Sequence, residues 1–547
     1  MVNAITNSVV KGHEKPIDLQ VYDVEKCFDS LWLQECINDI YEAGLQNDKL
    51  PLLFLENSNA KVAVKTSNGI SQRIDIKNIV MQGSVWGSLL CTASVDKLGQ
   101  LVYENEELLY WYKGAVAVPP LCMVDDILAV QECSKDSVQI NSVINSFIEL
   151  KKLTFSSKKC SKIHVGKVSD TCPDLKIHSD KMKDSKQERY LGDQLSSSAK
   201  VKDTIDDRVA KGFGIVSDIL AILDEIPLGQ YRLEMGLKLR QAMFLNGVLF
   251  NSEAWHAVTS DDLKPLERVD ESLLRSLLNS HPKAPLEFLY LETGSIPISN
   301  IISSRRMMYL RTLLRREEEE LTLRILREQQ KNTSTGDFAE LVRDDFARNN
   351  LNYDEEMIKG TKENDYKALI RKHVRETAFK ELKRKQEPHS KVNTIVYEKL
   401  ETQPYLVSSA FSNEDVGVLS NLRSHTTRGV RSNFQQMYRN NLSCPLKCWS
   451  PNDTPIRDTQ EHLLACSKLN LDTQTVVQGN IKYENIYGNV DDQKAIVNIF
   501  KELLEKRNKL LKPNPTSGNE HWTQAMPVAV QTHRDNCTNY CSVCIGN

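Results

Sequence analysis

Two adjacent carboxylates stand between two apolar runs in the first quarter of the chain. Residues 121–124 and 127–130 are apolar and flank Asp125 and Asp126. Apolar, β-rich runs on either side of a short polar centre predict a hairpin. The Asp-Asp pair lacks the glycine that a tight hairpin turn usually contains, and its like charges repel. A bound divalent cation would remove this conflict, because hard cations prefer carboxylate oxygens. An ordinary acidic turn between strands is the alternative.

A third carboxylate follows another short apolar strand. Residues 17–24 read as a strand that ends near Asp23 and leads into a helix. Two strands that each deliver carboxylates to one end of a sheet can hold two metal ions. Such ions clamp the attacking and leaving oxygens of a phosphoryl transfer. The distribution of one carboxylate plus two therefore predicts a site that can hold two metal ions.

The C-terminal part of the chain contains a second set of possible metal ligands. Cys444, Cys448, His462 and Cys466 have the spacing C-x3-C-x13-H-x3-C. Two close pairs separated by a loop suit tetrahedral zinc, and thiolate and imidazole ligands favour zinc over calcium or magnesium. Four protein ligands leave no open position for water, so the predicted Zn²⁺ is structural. Chance clustering of thiols is the alternative.

These features together resemble the reverse transcriptase of non-LTR (LINE-type) retrotransposons with a C-terminal CCHC zinc knuckle. The resemblance extends over roughly residues 17–510 and is densest where five motifs follow one another in the family's order. The five motifs are Asp23 with Phe28 and Asp29; Gln82, Gly83 and Ser84 with Ser88, Leu89 and Leu90; Met123, Val124, Asp125 and Asp126; Lys158, Lys159 and Cys160; and Tyr190, Leu191 and Gly192.

The resemblance implies RNA-directed DNA polymerase activity, in which a primer 3′-hydroxyl attacks a dNTP on an RNA template. It assigns catalysis to Asp23, Asp125 and Asp126, which would bind two Mg²⁺ ions together with Val24. Its remaining assignments are nucleotide binding for Phe28, Gln82, Gly83, Lys158 and Lys159, and a primer grip for Tyr190, Leu191 and Gly192. A core phenylalanine, a strand-to-helix connector and a solvated basic loop are the structural alternatives for the nucleotide-binding residues.

In the family, a fingers subdomain precedes the first motif and supplies cations to the triphosphate. Lys11 and Lys15 are the basic residues upstream of Asp23 here. The sequence is therefore expected to resemble a family member truncated at its N-terminus. On its own it is expected to extend a primer barely or not at all, so its activity is left open. A non-catalytic nucleic-acid-binding remnant of a retrotransposon is the alternative function.

The expected fold class is α+β: a polymerase palm, which is an antiparallel sheet with packed helices, followed by a mostly helical thumb and connector and a small zinc-knuckle region. Helical periodicity is predicted at 31–55, 205–223, 231–255, 260–278 and 493–511, and a hairpin at 60–79. The expected divisions are a palm at 1–200, a thumb at 201–285, a connector with a basic helix at 286–420, a CCHC knuckle region at 421–470, a terminal helical segment at 471–512 and a disordered tail at 513–547.

Composition is that of a globular protein, with 547 residues, 40% of them apolar and 26% charged. The net charge of −3 requires any nucleic-acid-binding patch to be local. Arg423, Arg428, Arg431 and Arg439 are candidate phosphate contacts near the knuckle. No membrane span or signal peptide is predicted. The scattered cysteines are expected to be free thiols in a reducing compartment, cytoplasm or nucleus. Protein partners and the retrotransposon clade are not predicted.

Overall fold

The structure, a computed structural model, describes the chain except for residues 46–47, 59–60, 76–79, 81–83, 85, 168–172, 226–230, 390–391, 429, 435–440, 470–481 and 512–547. The chain divides into two compact units, residues 1–426 and 427–547. The first unit begins with a sheet and its packed helices and continues as a long helical region. This mixture confirms the predicted α+β fold class. The tail predicted to be disordered falls almost wholly outside the described residues.

The strands of the described residues are β1 Ile17–Asp23, β2 Lys61–Val62, β3 Lys65–Thr66, β4 Gly69–Ile70, β5 Ile74–Asp75, β6 Tyr110–Tyr112, β7 Val116–Val118, β8 Leu121–Met123, β9 Asp126–Glu132, β10 Ser161–Val165, β11 Lys176–Ile177, β12 Asp180–Lys181, β13 Lys183–Asp184, β14 Gln187–Tyr190 and β15 Asp193–Ser196. The helices are α1 Val2–Val10, α2 Cys27–Ser30, α3 Leu33–Glu42, α4 Leu50–Ser58, α5 Gly87–Tyr103, α6 Lys135–Leu150, α7 Val201–Glu225, α8 Tyr231–Leu239, α9 Asn246–Val248, α10 Ser260–Leu277, α11 Leu286–Thr293, α12 Ile298–Leu314, α13 Leu321–Lys331, α14 Phe338–Arg348, α15 Glu355–Gly360, α16 Glu363–Gln386, α17 Asn413–Arg423, α18 Gln460–Ala465 and α19 Val490–Leu511.

The main sheet places β1 at its centre. Among the described residues it has five strands in the order β13-β10-β1-β9-β8. β1 is antiparallel to both of its neighbours, β10 and β9, and β8 folds back on β9 as a hairpin. The C-terminal end of β1 and the N-terminal end of β9 therefore lie at the same edge of the sheet.

The central strands β1 and β9 are buried on both faces. Successive side chains of a strand point to opposite faces. Ile127 and Ala129 of β9 pack with Tyr22 into a core that also includes residues of α3, α5 and α6. Leu128 and Val130, which alternate with them, pack into a second core with residues of α1 and the β6–β7 hairpin. Helices and hairpins on both sides thus fix the strand ends that carry the acidic residues.

The region predicted as one helix over 31–55 is instead two helices, α3 and α4. Gly44 follows α3 with a φ of +101°. This backbone conformation is open to glycine but costly for other residues, so the helix ends there. The predicted hairpin over 60–79 is confirmed in its described part, since Thr66 pairs with Gly69 across the Asn68 turn.

The predicted helix over 231–255 is also interrupted. It consists of α8, a π-helical segment Arg240–Leu245 and the short α9, and Asn251 then adopts a φ of +59°. Arg240 is buried, and its Nε and Nη2 donate to the two carboxylate oxygens of Asp270, both at 2.6 Å. A buried guanidinium requires such a partner. Periodicity alone does not reveal this local change in helix type.

The second unit is built around a short β-bridged hairpin and two helices. Ser443 pairs with Arg457 and Trp449 with Pro455 in the hairpin. α18 follows it, and α19 confirms the helix predicted over 493–511, with an N-terminus three residues earlier. Within the described residues, no helix combines the length and apolarity needed to cross a bilayer.

Candidate active site and candidate metal centre

The hairpin that joins β8 to β9 carries the paired carboxylates. Met123 pairs with Asp126, so Val124 and Asp125 form a two-residue turn. Val124 has a φ of +60°, a left-handed conformation that β-branched residues rarely adopt. Such a residue costs on the order of 1–3 kcal/mol and persists where the surrounding structure enforces it. The turn presents Asp125 at its tip and Asp126 at the first position of β9.

Asp23 lies directly opposite Asp126. The two residues are Cα partners in the antiparallel register of β1 and β9. Asp23 is also held from the β10 side, where its N–H contacts the Cys160 Sγ at 3.4 Å and its carbonyl accepts a hydrogen bond from the Ser156 N–H at 2.9 Å. The sheet therefore brings the three predicted carboxylates, which are distant in sequence, to one edge.

This edge concentrates negative charge. Burial raises the pKa of Asp126, and the nearby Asp125 and Asp23 carboxylates raise it further. The Lys159 Nζ lies 3.2 Å from Asp23 Oδ1 and 3.3 Å from Oδ2. Lys158, on the same turn, is exposed and forms no ion pair with a described residue. A carboxylate whose pKa is raised by burial and by two neighbouring carboxylates fits a divalent cation such as Mg²⁺, which takes oxygen ligands.

Several predicted site residues remain predictions. Val24 is buried and forms a β-bridge with Phe155. Phe28 is half-buried and packs against the core that includes α3, α5 and α6, which is consistent with the alternative of a core phenylalanine. Gln82 and Gly83 lie outside the described residues. The ligand atoms of the three carboxylates do not all lie within 4.8 Å of one another.

The predicted primer-grip residues form the turn of the β14–β15 hairpin. Tyr190 pairs with Asp193, while Leu191 and Gly192 have φ values of +45° and +88°. Two successive positive φ values are typical of a type I′ turn, which matches the twist of a hairpin. Tyr190 is buried and its hydroxyl donates to the Leu121 carbonyl at 3.5 Å. The exposed Leu191 tip thus projects from a hairpin that contacts β8.

A known family resembles the part of the chain that carries this edge of the sheet. Residues 7–195 match the family model described as "Reverse transcriptase (RNA-dependent DNA polymerase)". This part of the chain is therefore similar to a reverse transcriptase domain. The matched range includes all three carboxylates, Lys158 and Lys159, and the β14–β15 turn.

Solved telomerase structures overlap parts of the chain as well. Telomerase from Candida albicans with a TWJ fragment of telomeric RNA has 11% identity, a TM-score of 0.30, and coverage of 51% of this chain and 50% of its own. Telomerase from Candida tropicalis with the same kind of fragment has 13% identity, a TM-score of 0.30, and coverage of 69% and 49%. The chain spans 37% to 53% of the length of such structures. No curated protein matches the sequence.

C-terminal to the residues that match this family model, the four predicted zinc ligands come together. The ligand atoms of Cys444, Cys448, His462 and Cys466 all lie within 4.8 Å of one another. The Cys448 and Cys466 sulfurs are 3.5 Å apart. The first two cysteines lie on the hairpin, where Lys447 has a φ of +56°, and the other two ligands lie on or next to α18. Geometry and donor type fit tetrahedral zinc.

An unsatisfied buried atom supports the same fit. The His462 Nε2 is buried and has no hydrogen-bond partner within the described structure. Burial lowers the pKa of His462, which favours the neutral imidazole that can donate a lone pair to a metal. Burial also raises the pKa of Cys444 and of Cys466, the latter to about 12. Thiols that resist ionisation when buried together would become stable thiolates beside a bound cation.

The sequence alone did not point to Asp458, whose contacts connect the elements of the second unit. Asp458 is fully buried, and the Arg507 Nη1 and Nη2 donate to its Oδ1 and Oδ2 at 2.9 Å and 2.7 Å. The Arg431 N–H also donates to Asp458 Oδ2, at 2.7 Å. Asp458 thus links the hairpin to α19. Because Arg507 is far away in sequence, no local pattern signals the pair.

Two expectations about the chemistry of single residues are wrong. Arg423, a candidate phosphate contact, is buried, and its Nε and Nη2 donate to Glu292 Oε1 at 2.9 Å and 2.7 Å. Arg423 therefore forms a buried ion pair that stabilises the interior of the first unit. Cys133 is disulfide-bonded, not a free thiol. The spacing of cysteines in sequence does not report their proximity in space. Arg439 lies outside the described residues.

Proposed function

We propose that the chain is an RNA-directed DNA polymerase of the non-LTR retrotransposon type, which adds dNTPs to a primer 3′-hydroxyl by two-metal nucleotidyl transfer. The observation that carries this proposal is the register of Asp23 opposite Asp126, with Asp125 at the adjoining turn, within the residues that match the reverse transcriptase family model. The five-motif order of the sequence supports the retrotransposon type.

In this proposal each carboxylate has a position and a task. Asp23, Asp125 and Asp126, with the Val24 carbonyl, would hold two Mg²⁺ ions. When bound, these ions would activate the primer hydroxyl and stabilise the leaving oxygens. A bound cation would offset the effects that raise the pKa of Asp126 and would stabilise its carboxylate. The strained Val124 turn would fix Asp125 relative to Asp126 before substrate arrives.

Cations and the second hairpin would position the nucleotide and primer. Lys159, paired with Asp23 and exposed, would move to the triphosphate, with Lys158 beside it. Phe28, Gln82 and Gly83 are the other proposed nucleotide contacts. The Tyr190, Leu191 and Gly192 turn, held against β8, would support the primer end. In the second unit, the Cys/His cluster would bind a structural Zn²⁺ and stabilise an RNA-contacting module.

Primer extension on an RNA template, with Mg²⁺ and dNTPs, tests the proposal. The matched comparison is wild type against Asp126→Asn and against Asp184→Asn, an exposed carboxylate remote from the β1–β9 edge. We expect at most weak incorporation by the wild type, the same by Asp184→Asn and none detectable by Asp126→Asn, because losing one preorganised electrostatic contact typically costs about a hundredfold or more. Equal incorporation by all three proteins would contradict the proposal. RNA binding without incorporation by any of them would favour a non-catalytic remnant.

A further inference from the structure

A cleft in the helical region of the first unit is lined by an unusual set of charges. Its volume is about 400 Å³, and it lies between α12 and the N-terminal turn of α16. The cationic residues of its lining are Arg305, Arg311 and Lys367, and the acidic ones are Glu253 and Glu363. Of these five, Lys367 and Glu363 form an ion pair with each other.

Arg311 is a buried cation without a carboxylate partner. It is 7% exposed, and no described carboxylate lies within 4 Å of its guanidinium. Its Nη2 donates to the Thr361 carbonyl at 2.8 Å, its Nε has no hydrogen-bond partner within the described structure, and its guanidinium lies 5.8 Å from the centre of the Tyr366 ring. Buried charges in proteins are normally paired. Arg311 therefore has no carboxylate in ion-pair contact, and its interaction with the Glu363 carboxylate is a longer-range one.

Arg305, one turn and a half earlier on α12, also has no carboxylate in ion-pair contact among the described residues. Its guanidinium donates to the Leu249 carbonyl, to the Leu245 carbonyl at 3.4 Å and to the Asn246 side-chain oxygen at 3.3 Å. These acceptors are neutral. Burial lowers the pKa of Arg305, and the more distant Glu253 carboxylate offsets this only in part. Two arginines without a carboxylate in ion-pair contact thus line one open cleft.

We propose that this cleft binds a phosphate group carried by a nucleotide or a polynucleotide, with Arg311 and Arg305 as its anchors and Lys367 at the rim. Guanidinium groups recognise phosphate by charge-assisted, often bidentate, hydrogen bonds. The volume exceeds that of a phosphate alone, and Met308 and Tyr309 in the lining offer apolar surface for a sugar or base. The Glu363 carboxylate neutralises Lys367 and so reduces the positive potential of the cleft. A bound anion would compete with Glu363 for that lysine. The site does not depend on the proposed polymerase chemistry.

Calorimetric titration without Mg²⁺ tests the cleft apart from the palm carboxylates. The probes are inorganic pyrophosphate and a five-nucleotide single-stranded RNA. The variants are Arg311→Gln, Glu363→Gln and, as a matched control, Arg316→Gln, which removes an exposed arginine paired with Glu320. We expect Arg311→Gln to weaken binding about tenfold or more, the scale of one hydrogen bond to a charged group. Glu363→Gln should tighten binding because it removes an acid and releases Lys367, and the control should match the wild type.

The outcomes separate the two phosphate sources. Binding of both probes, weakened in Arg311→Gln, identifies a site for the phosphate group itself, and binding of RNA alone with the same weakening identifies a polynucleotide site. Unchanged affinity for both probes in a folded Arg311→Gln protein, or no binding of either probe to wild type, overturns the proposal. If Arg311→Gln does not fold, Glu363→Gln decides: binding no tighter than that of wild type overturns the site.

Discussion

The Lys159 ammonium lies 3.2 Å and 3.3 Å from the two carboxylate oxygens of Asp23. A metal ion bound to Asp23 would have to compete with this ammonium group for the carboxylate. In the proposed mechanism, this relationship would connect nucleotide binding to metal binding.

Replacing Lys159 by methionine should have opposite effects on two measurements. Mg²⁺ affinity, measured by calorimetry, should rise modestly because a competing cation is gone. Incorporation of dNTPs should fall because the proposed triphosphate contact is lost. Lys158→Met is the matched control, since Lys158 is equally exposed but unpaired among the described residues, and it should leave Mg²⁺ affinity unchanged. Unaltered Mg²⁺ affinity in Lys159→Met would show that the ion pair does not compete with metal.

Cys448→Ser should reduce the zinc content of the purified protein and lower the stability of the second unit. Structural zinc supplies folding free energy directly, so the loss of one ligand should lower both the zinc content and the free energy of unfolding. Elemental analysis of wild type should give close to one equivalent of zinc, and Cys36→Ala, which changes a buried cysteine of the first unit, should keep it. A well-folded wild type with less than about half an equivalent would contradict the site, since a closed four-ligand site should be nearly filled.

The Asp458–Arg507 pair should be decisive for the stability of the second unit. Arg507→Met removes one partner and leaves the fully buried Asp458 carboxylate without its guanidinium. Breaking a buried pair in this way typically costs about 3–5 kcal/mol. Denaturant unfolding of the full chain should show the loss. Lys509→Met, which breaks an exposed pair on the same helix, should unfold at the denaturant concentration of wild type, and a similar result for Arg507→Met would refute the role.

A buried histidine predicts that stability depends on pH. His256 is 8% exposed, its Nε2 lies 2.9 Å from the Ala199 carbonyl, and burial lowers its pKa below the ordinary value of 6.5. As pH falls below 6.5, the unfolded chain binds a proton at His256 more readily than the folded chain does, so the free energy of unfolding declines. The decline from this group can reach about 1.4 kcal/mol per pH unit. Chemical unfolding between pH 7 and pH 5 should show a steeper loss for wild type than for His256→Gln. Parallel curves would disprove the assignment.

The sequence predicts most of the palm edge because its signals are local. An apolar strand ending in Asp23 and a hairpin around Asp125 each depend on residues close in the chain. The Cys/His cluster is predictable for the same reason, since its two ligand pairs are each closely spaced. The contacts between distant segments are not predictable in this way. The π-helical segment with the Arg240–Asp270 pair, the Asp458–Arg507 pair and the burial of Arg423 all depend on partners that only the tertiary fold selects.

Calorimetric titration of Mg²⁺ tests most directly the central claim that the three carboxylates form one metal site. Wild type, Asp125→Asn and Asp29→Asn should be compared in the full chain; Asp29 is an exposed carboxylate on α2 that we place outside the site. We predict that Asp125→Asn weakens Mg²⁺ binding about tenfold or more, because a charged ligand is lost from a cluster that depends on it. Asp29→Asn should bind like the wild type. The same Mg²⁺ affinity in wild type and in a folded Asp125→Asn protein would contradict the claim.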